Sequence, residues 1–158
     1  MTPKPFKIMI GLLSLILLVS LFACRKDDIC TQGGTPKLGF AFYDVTNTDN
    51  PKEVANLYVI ALPGQDTLYN NVSVSQIALP LNVNADQCRW IFTNNQNNDT
   101  LDFNYQREVV FVSKACGYKT IFKQLQIHLQ PDSDNWIKQI ELLTNNISTD
   151  TTHVKIYH

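Results

Sequence analysis

The sequence predicts an all-β protein, an antiparallel β-sandwich of seven to eight strands and immunoglobulin-like general shape. Three observations lead there. Short runs alternate apolar and polar residues with a period of two, turn clusters recur roughly every ten residues, and no segment sustains a 3.6-residue period. In order along the chain, Leu38, Phe40 and Phe42 alternate with Gly39, Ala41 and Tyr43. Residues 57–62 are apolar on both faces, as a central strand would be. Ile77, Leu79, Leu81 and Val83 form a one-sided set, as do Cys88, Trp90 and Phe92, and then Leu101, Phe103 and Tyr105. Ile121, Leu125, Ile127 and Leu129 read as another, interrupted only by Lys123, and Val154 and Ile156 close the series. Residues 119–125 are the best helical candidate, but they are short and fit a strand equally well. Between these runs lie Asn47-Thr48-Asp49-Asn50-Pro51, Pro63-Gly64-Gln65-Asp66 and the polar stretches 94–99, 131–135 and 144–152. Asn and Asp suit such places because their side chains satisfy nearby backbone groups and tolerate left-handed conformations.

The 158 residues leave room for one core. No repeat of twenty to fifty residues is visible, which argues against solenoids and propellers. The formal net charge is −1, so nothing attracts a polyanion, and no nucleic-acid partner is expected.

The amino-terminal stretch has a different character. Lys4 and Lys7 precede residues 8–22, which carry no charge. As a helix these fifteen residues would be about 22 Å long, short of a bilayer's ~30 Å core, so they read as the apolar part of a signal peptide. They end in Leu21-Phe22-Ala23-Cys24, and here the chain resembles bacterial lipoprotein precursors: a small residue directly before a cysteine, an aliphatic residue three before it. The resemblance implies removal of residues 1–23, lipidation of Cys24 and anchoring to a membrane. Loss of Lys4 and Lys7 would leave eleven basic against fourteen acidic residues, a charge of −3. Residues 24–36 would then be the lipidated cysteine and a short tether, and residues 37–158 the sandwich. Lys26, Asp27 and Asp28, just after the anchor, resemble a surface-export signal of Bacteroidetes lipoproteins, although charges beside an anchor also serve as a plain solvated tether.

Three cysteines remain, Cys30, Cys88 and Cys116, with three possible pairings. Cys88 shares a face with Trp90 and Phe92 and reads as a small buried hydrophobe. Cys30 precedes Thr31-Gln32-Gly33-Gly34 and Cys116 precedes Gly117. A Cys30–Cys116 disulfide is therefore expected, in a compartment oxidising enough to keep it.

Groups that could perform chemistry are sparse. His128 points outward by alternation, His153 is expected to face solvent beside Lys155 and Tyr157, and His158 ends the sequence. No His, Cys or carboxylate spacing suggests a metal, and Gly33-Gly34 opens no phosphate-binding helix, so no cofactor is expected. Glu53, Glu108 and Glu141 are far apart, and a hydrolase would need two carboxylates facing across a cleft. Trp136 follows a polar loop and is either a stacking platform for a sugar ring or a rim residue closing one end of the sandwich.

With Asp27-Asp28-Ile29-Cys30, Thr35-Pro36, Phe42-Tyr43-Asp44, Ser113-Lys114-Ala115-Cys116-Gly117 and His153-Val154-Lys155-Ile156 in view, the chain resembles an uncharacterised Bacteroidetes lipoprotein family, a domain of unknown function. That resemblance implies an outer-membrane lipoprotein on the periplasmic or surface face and agrees with the Cys30–Cys116 pairing. The expected role is a non-enzymatic module that binds or scaffolds an envelope protein; a glycan-binding accessory lipoprotein is the alternative.

Overall fold

A computed structural model describes residues 29–94 and 97–158. Cys24, Lys26, Asp27 and Asp28 lie outside the described residues. Nine strands form: Leu38–Tyr43 (β1), Val54–Leu62 (β2), Asp66–Val74 (β3), Gln76–Leu79 (β4), Gln87–Thr93 (β5), Asn98–Ser113 (β6), Gly117–Leu129 (β7), Gln139–Leu142 (β8) and Thr152–Tyr157 (β9). They build two open sheets, β4-β1-β9-β8 and β3-β2-β5-β6-β7. Every strand pairing is antiparallel except β1 with β9. The all-β sandwich is as the alternation predicts.

The core lies between the inner faces. Leu38, Phe40 and Phe42 of β1 and Val154 and Ile156 of β9 meet Leu57 and Val59 of β2, Trp90 and Phe92 of β5, Leu101, Phe103 and Tyr105 of β6, and Phe122 and Leu125 of β7. Phe40 reaches three rings, at centroid distances of 6.4 Å to Trp90, 5.8 Å to Phe92 and 6.1 Å to Phe103, all edge to face. That geometry sets the positive rim of one ring against the negative face of the next and adds to the area buried.

Three details differ from the sequence expectation, and a backbone bulge accounts for each of them. The segment Asp66–Val74 is a ninth strand, paired with β2 at the edge of its sheet. Its alternation breaks at Asn71, whose φ of 53° accompanies a register shift, so a period of two does not run through it. In β7 the inward residue is Phe122, not Ile121, because Gln124, with φ of 53°, is an extra residue opposite β6 and exchanges the two faces. The odd residues Leu125, Ile127 and Leu129 point inward only beyond that point.

The third difference is His153, which is buried and not exposed to solvent. Gly39 pairs with Thr152 and Phe40 with Val154, so His153 is the extra residue of a bulge in β9. Its Nδ1 accepts the Gly39 N–H at 3.1 Å, a donor the interrupted ladder would otherwise leave unpaired. The chain crosses Gly39 so closely that a Cβ there would lie 2.1 Å from the Thr151 carbonyl oxygen, and only glycine fits.

The outer edge of β7 is covered. Phe122 and Ile147 exchange N–H···O bonds of 3.0 and 2.7 Å, Leu125 N–H donates to Asn145 O at 3.0 Å, and Thr120 N–H donates to Thr35 Oγ1 at 3.1 Å. Pairing these groups keeps the edge from templating another chain.

An acceptor at Nδ1 requires a neutral imidazole, and burial lowers the His153 pKa, opposed by a hydrogen bond to the Thr149 backbone and by the Asp150 charge. The stabilisation is therefore complete above the ordinary histidine pKa and is lost as pH falls toward the depressed value. In urea titrations, stability should decline below about pH 6.5 with a slope approaching ~1.4 kcal/mol per pH unit for this group, and His153→Gln should remove that part of the slope. An unchanged slope would mean that His153 is not the titrating group.

Candidate functional site

Each candidate residue acquires a definite environment in the fold. Cys30 and Cys116 form a disulfide with a Cα–Cα distance of 4.8 Å, closing a sequence separation of 86 residues. Cys116 sits in the turn joining β6 to β7, so the bridge ties the segment before β1 to the tip of the longest hairpin. In the chain-entropy view a loop of this size is worth about 4–5 kcal/mol.

Cys88 is the free cysteine among the described residues, and it packs against the core with Trp90 and Phe92. Burial pushes its thiol up to about 11, and Tyr105 hydrogen-bonds beside it. Tyr105 in turn donates its hydroxyl to Asn82 O at 3.1 Å and accepts from Asn82 N–H at 2.9 Å, which holds the 82–86 loop over the end of the sandwich. A thiol so far from ionisation is a poor nucleophile at neutral pH.

A groove of about 820 Å³ lies over the start of β5 and the β6 residues paired with it, lined by Leu62, Pro63, Asn82, Cys88, Arg89 and Asp102 among others. Its charges already have partners. Arg89 clasps Asp102 through two nitrogens, and Gln130 Nε2 donates to the same carboxylate. Hydrogen bonding to the Arg89 guanidinium holds Asp102 below the usual carboxylate range, so it stays ionised and is weak as a base. Arg107, nearby in β6, donates to Asp86 Oδ1 at 2.6 Å and to Val83 O at 2.8 Å. The groove offers polar groups for binding; the ion pair and the protonated thiol supply neither a general base nor an attacking group.

Trp136 takes the rim position, one of its two expected places, closing an end of the sandwich. It is buried at 6% exposure in the loop before β8, and its Nε1 donates to Phe92 O at 3.1 Å. Its ring lies edge-on to His158 at 5.6 Å. No indole face is presented to a sugar, so Trp136 is not a stacking platform. What holds the loop is Asp99, a buried carboxylate on β6 that accepts N–H bonds from Trp136 at 3.2 Å and Ile137 at 2.7 Å. Burial raises its pKa, and those two donors oppose the shift. Sequence reasoning missed Asp99; the signal was its odd-numbered, inward position in β6, shared with Leu101 and Phe103.

The glutamates do not converge. Glu108 on β6 pairs with Lys123 of β7, whereas Glu141 on β8, in the other sheet, accepts the Tyr157 hydroxyl at 2.6 Å. Neither lines the groove. His128 is exposed opposite Asp102. Among the described residues no group of three or more His, Cys, Asp or Glu side chains could hold a metal ion.

Two comparisons with known proteins return nothing: no curated protein and no solved structure matches the chain. A family model does match residues 56–158, and its description is a family of unknown function (DUF6452).

The thiol environment is directly testable. At pH 8 the shift from 9.0 to about 11 should leave Cys88 roughly a hundredfold less ionised than a free cysteine, so a thiol reagent should label the native protein correspondingly slowly. After unfolding without reductant, one thiol per chain among residues 29–158 should react at once. Two or more fast thiols in the native state would contradict the pairing.

Proposed function

The chain belongs to this family of unknown function, DUF6452, and from that premise we propose that it is a lipid-anchored protein of the cell envelope whose sandwich serves as a non-enzymatic binding or scaffolding module. The observation that carries the reading is the Cys30–Cys116 disulfide taken together with the sequence before it. Five residues separate Cys24 from Cys30, which at full extension is at most ~20 Å. A lipidated Cys24 would therefore hold the sandwich close to the membrane. A disulfide of this kind also suits an oxidising compartment outside the cytoplasm. Anchoring by several acyl chains, at ~0.8 kcal/mol per buried methylene, is effectively permanent where one chain is marginal.

The paired charges of the groove and the protonated Cys88 favour binding over catalysis. An envelope protein is the preferred partner class, because burial of Trp136 removes the main support for glycan recognition. Residues 1–23 serve in this reading as a lipoprotein signal peptide, of the kind found in Bacteroidetes, and the outer membrane is the destination. Lys26, Asp27 and Asp28 would then decide between the periplasmic and surface faces.

Cys24→Ser should move the protein from the membrane fraction to the soluble fraction of lysed cells. Retention in the membrane would sink the lipoprotein reading. Protease shaving of whole cells should degrade the native protein and spare a variant lacking residues 26–28; equal sensitivity of the two would deny those residues a sorting role.

A further inference from the structure

The β6–β7 hairpin runs beyond the sandwich and carries apolar side chains that no second sheet covers. Odd residues of β6 point inward, and Leu101, Phe103 and Tyr105 are buried, but beyond Arg107 the same face continues with Val109 and Phe111, which are 67% and 59% exposed. Phe111 pairs directly with Tyr118 of β7, which is 70% exposed, and their rings meet at 5.4 Å. Val83, in the loop held by Arg107, and Ile29, one residue before the disulfide, are exposed as well. These five are most of the exposed large apolar side chains among the described residues, a clustering that marks a contact surface.

The tether identifies what the surface meets. The chain arrives from Cys24, is fastened to the turn of this hairpin at Cys116, passes Thr120 at Thr35 and only then enters β1. Tyr118 follows Cys116 by two residues, about 7 Å along a strand. Cys30 follows Cys24 by six positions, so the hairpin tip is the described part of the fold joined to the anchor cysteine by the shortest stretch of chain. Lys114 in the turn puts a positive charge at the tip of the hairpin, an arrangement that suits phosphate headgroups beside a shallow apolar insertion.

We propose that the tip of the β6–β7 hairpin is a membrane-contact surface, with Val109, Phe111 and Tyr118 seated at the headgroup–acyl boundary of the bilayer that holds the tether. The inference rests on the anchor reading, and it adds an orientation: the hairpin points into the membrane and the far end of the sandwich away from it. Val45 marks that far end, since it follows β1, whose six residues span about 20 Å from the tether side.

The test uses the full chain made in bacterial membranes and reconstituted in phosphatidylethanolamine/phosphatidylglycerol vesicles with brominated acyl chains. Phe111→Trp reports the tip, Val45→Trp reports the far end, and the buried Trp90 and Trp136 give a background taken from the native protein. Phe111→Trp should be blue-shifted and quenched at least about twofold more than Val45→Trp. Equal quenching of the two in anchored protein overturns the inference and leaves the anchor reading standing. If the native protein proves soluble, the anchor reading fails, and the same contrast on added vesicles decides the inference alone. A blue shift without bromine quenching, accompanied by concentration-dependent dimers, would assign the surface to a second copy of the chain and also overturn it. Should Phe111→Trp fail to fold, Tyr118→Trp carries the same comparison.

Discussion

Phe40 is the contact on which the sandwich depends. It projects from the middle of β1 into the opposite sheet and touches Trp90, Phe92 and Phe103. Those rings belong to β5 and β6, the adjacent strands at the heart of the five-stranded sheet, so a single side chain sets the spacing and slide of one layer on the other. Because interiors pack as tightly as organic crystals, the ring positions are mutually determined and β1 has little freedom to shift. Gly39, its neighbour, must then accept the close passage of Thr151, and His153 must turn its ring to satisfy the N–H that the ladder leaves unpaired. The parallel pairing of β1 with β9 is held by the same residues.

Bulges are the second organising device. Asn71, Gln124 and His153 each mark an extra residue, and each re-aims the side chains that follow. Local strain at φ near 53° is tolerated at Asn71 and Gln124 because the surrounding ladders and core over-determine those positions. The benefit is a strand that places Phe122 in the core and, beyond the bulge, Leu125 as well.

The polar side chains follow one pattern: charges are matched locally. Arg89 with Asp102, Arg107 with Asp86 and Lys123 with Glu108 are largely exposed pairs that solvent screens, and they serve register and solubility more than stability. Asp99 is the exception, a buried carboxylate whose two backbone donors fasten the 134–137 loop over the sandwich end. Apolar surface is left open chiefly at the hairpin tip, beside the disulfide, and that asymmetry gives the molecule a definite end.

The period-two runs determined the all-β class by themselves, because half-buried strands must alternate. The inward position of Cys88 was legible for the same reason, and so was the pairing of Cys30 with Cys116, both beside turns. Tertiary structure decided what alternation cannot carry. A bulge changes parity without any reliable mark in the sequence, so Phe122 and His153 were assigned to the wrong face, and β3 was lost among polar residues. Trp136 was ambiguous because loop burial depends on a distant carboxylate, Asp99, thirty-seven residues earlier. The open face of Val109, Phe111 and Tyr118 was equally hidden: residues 109–112 look like any core strand, and only the point at which the opposite sheet stops shows that they have no partner in the fold.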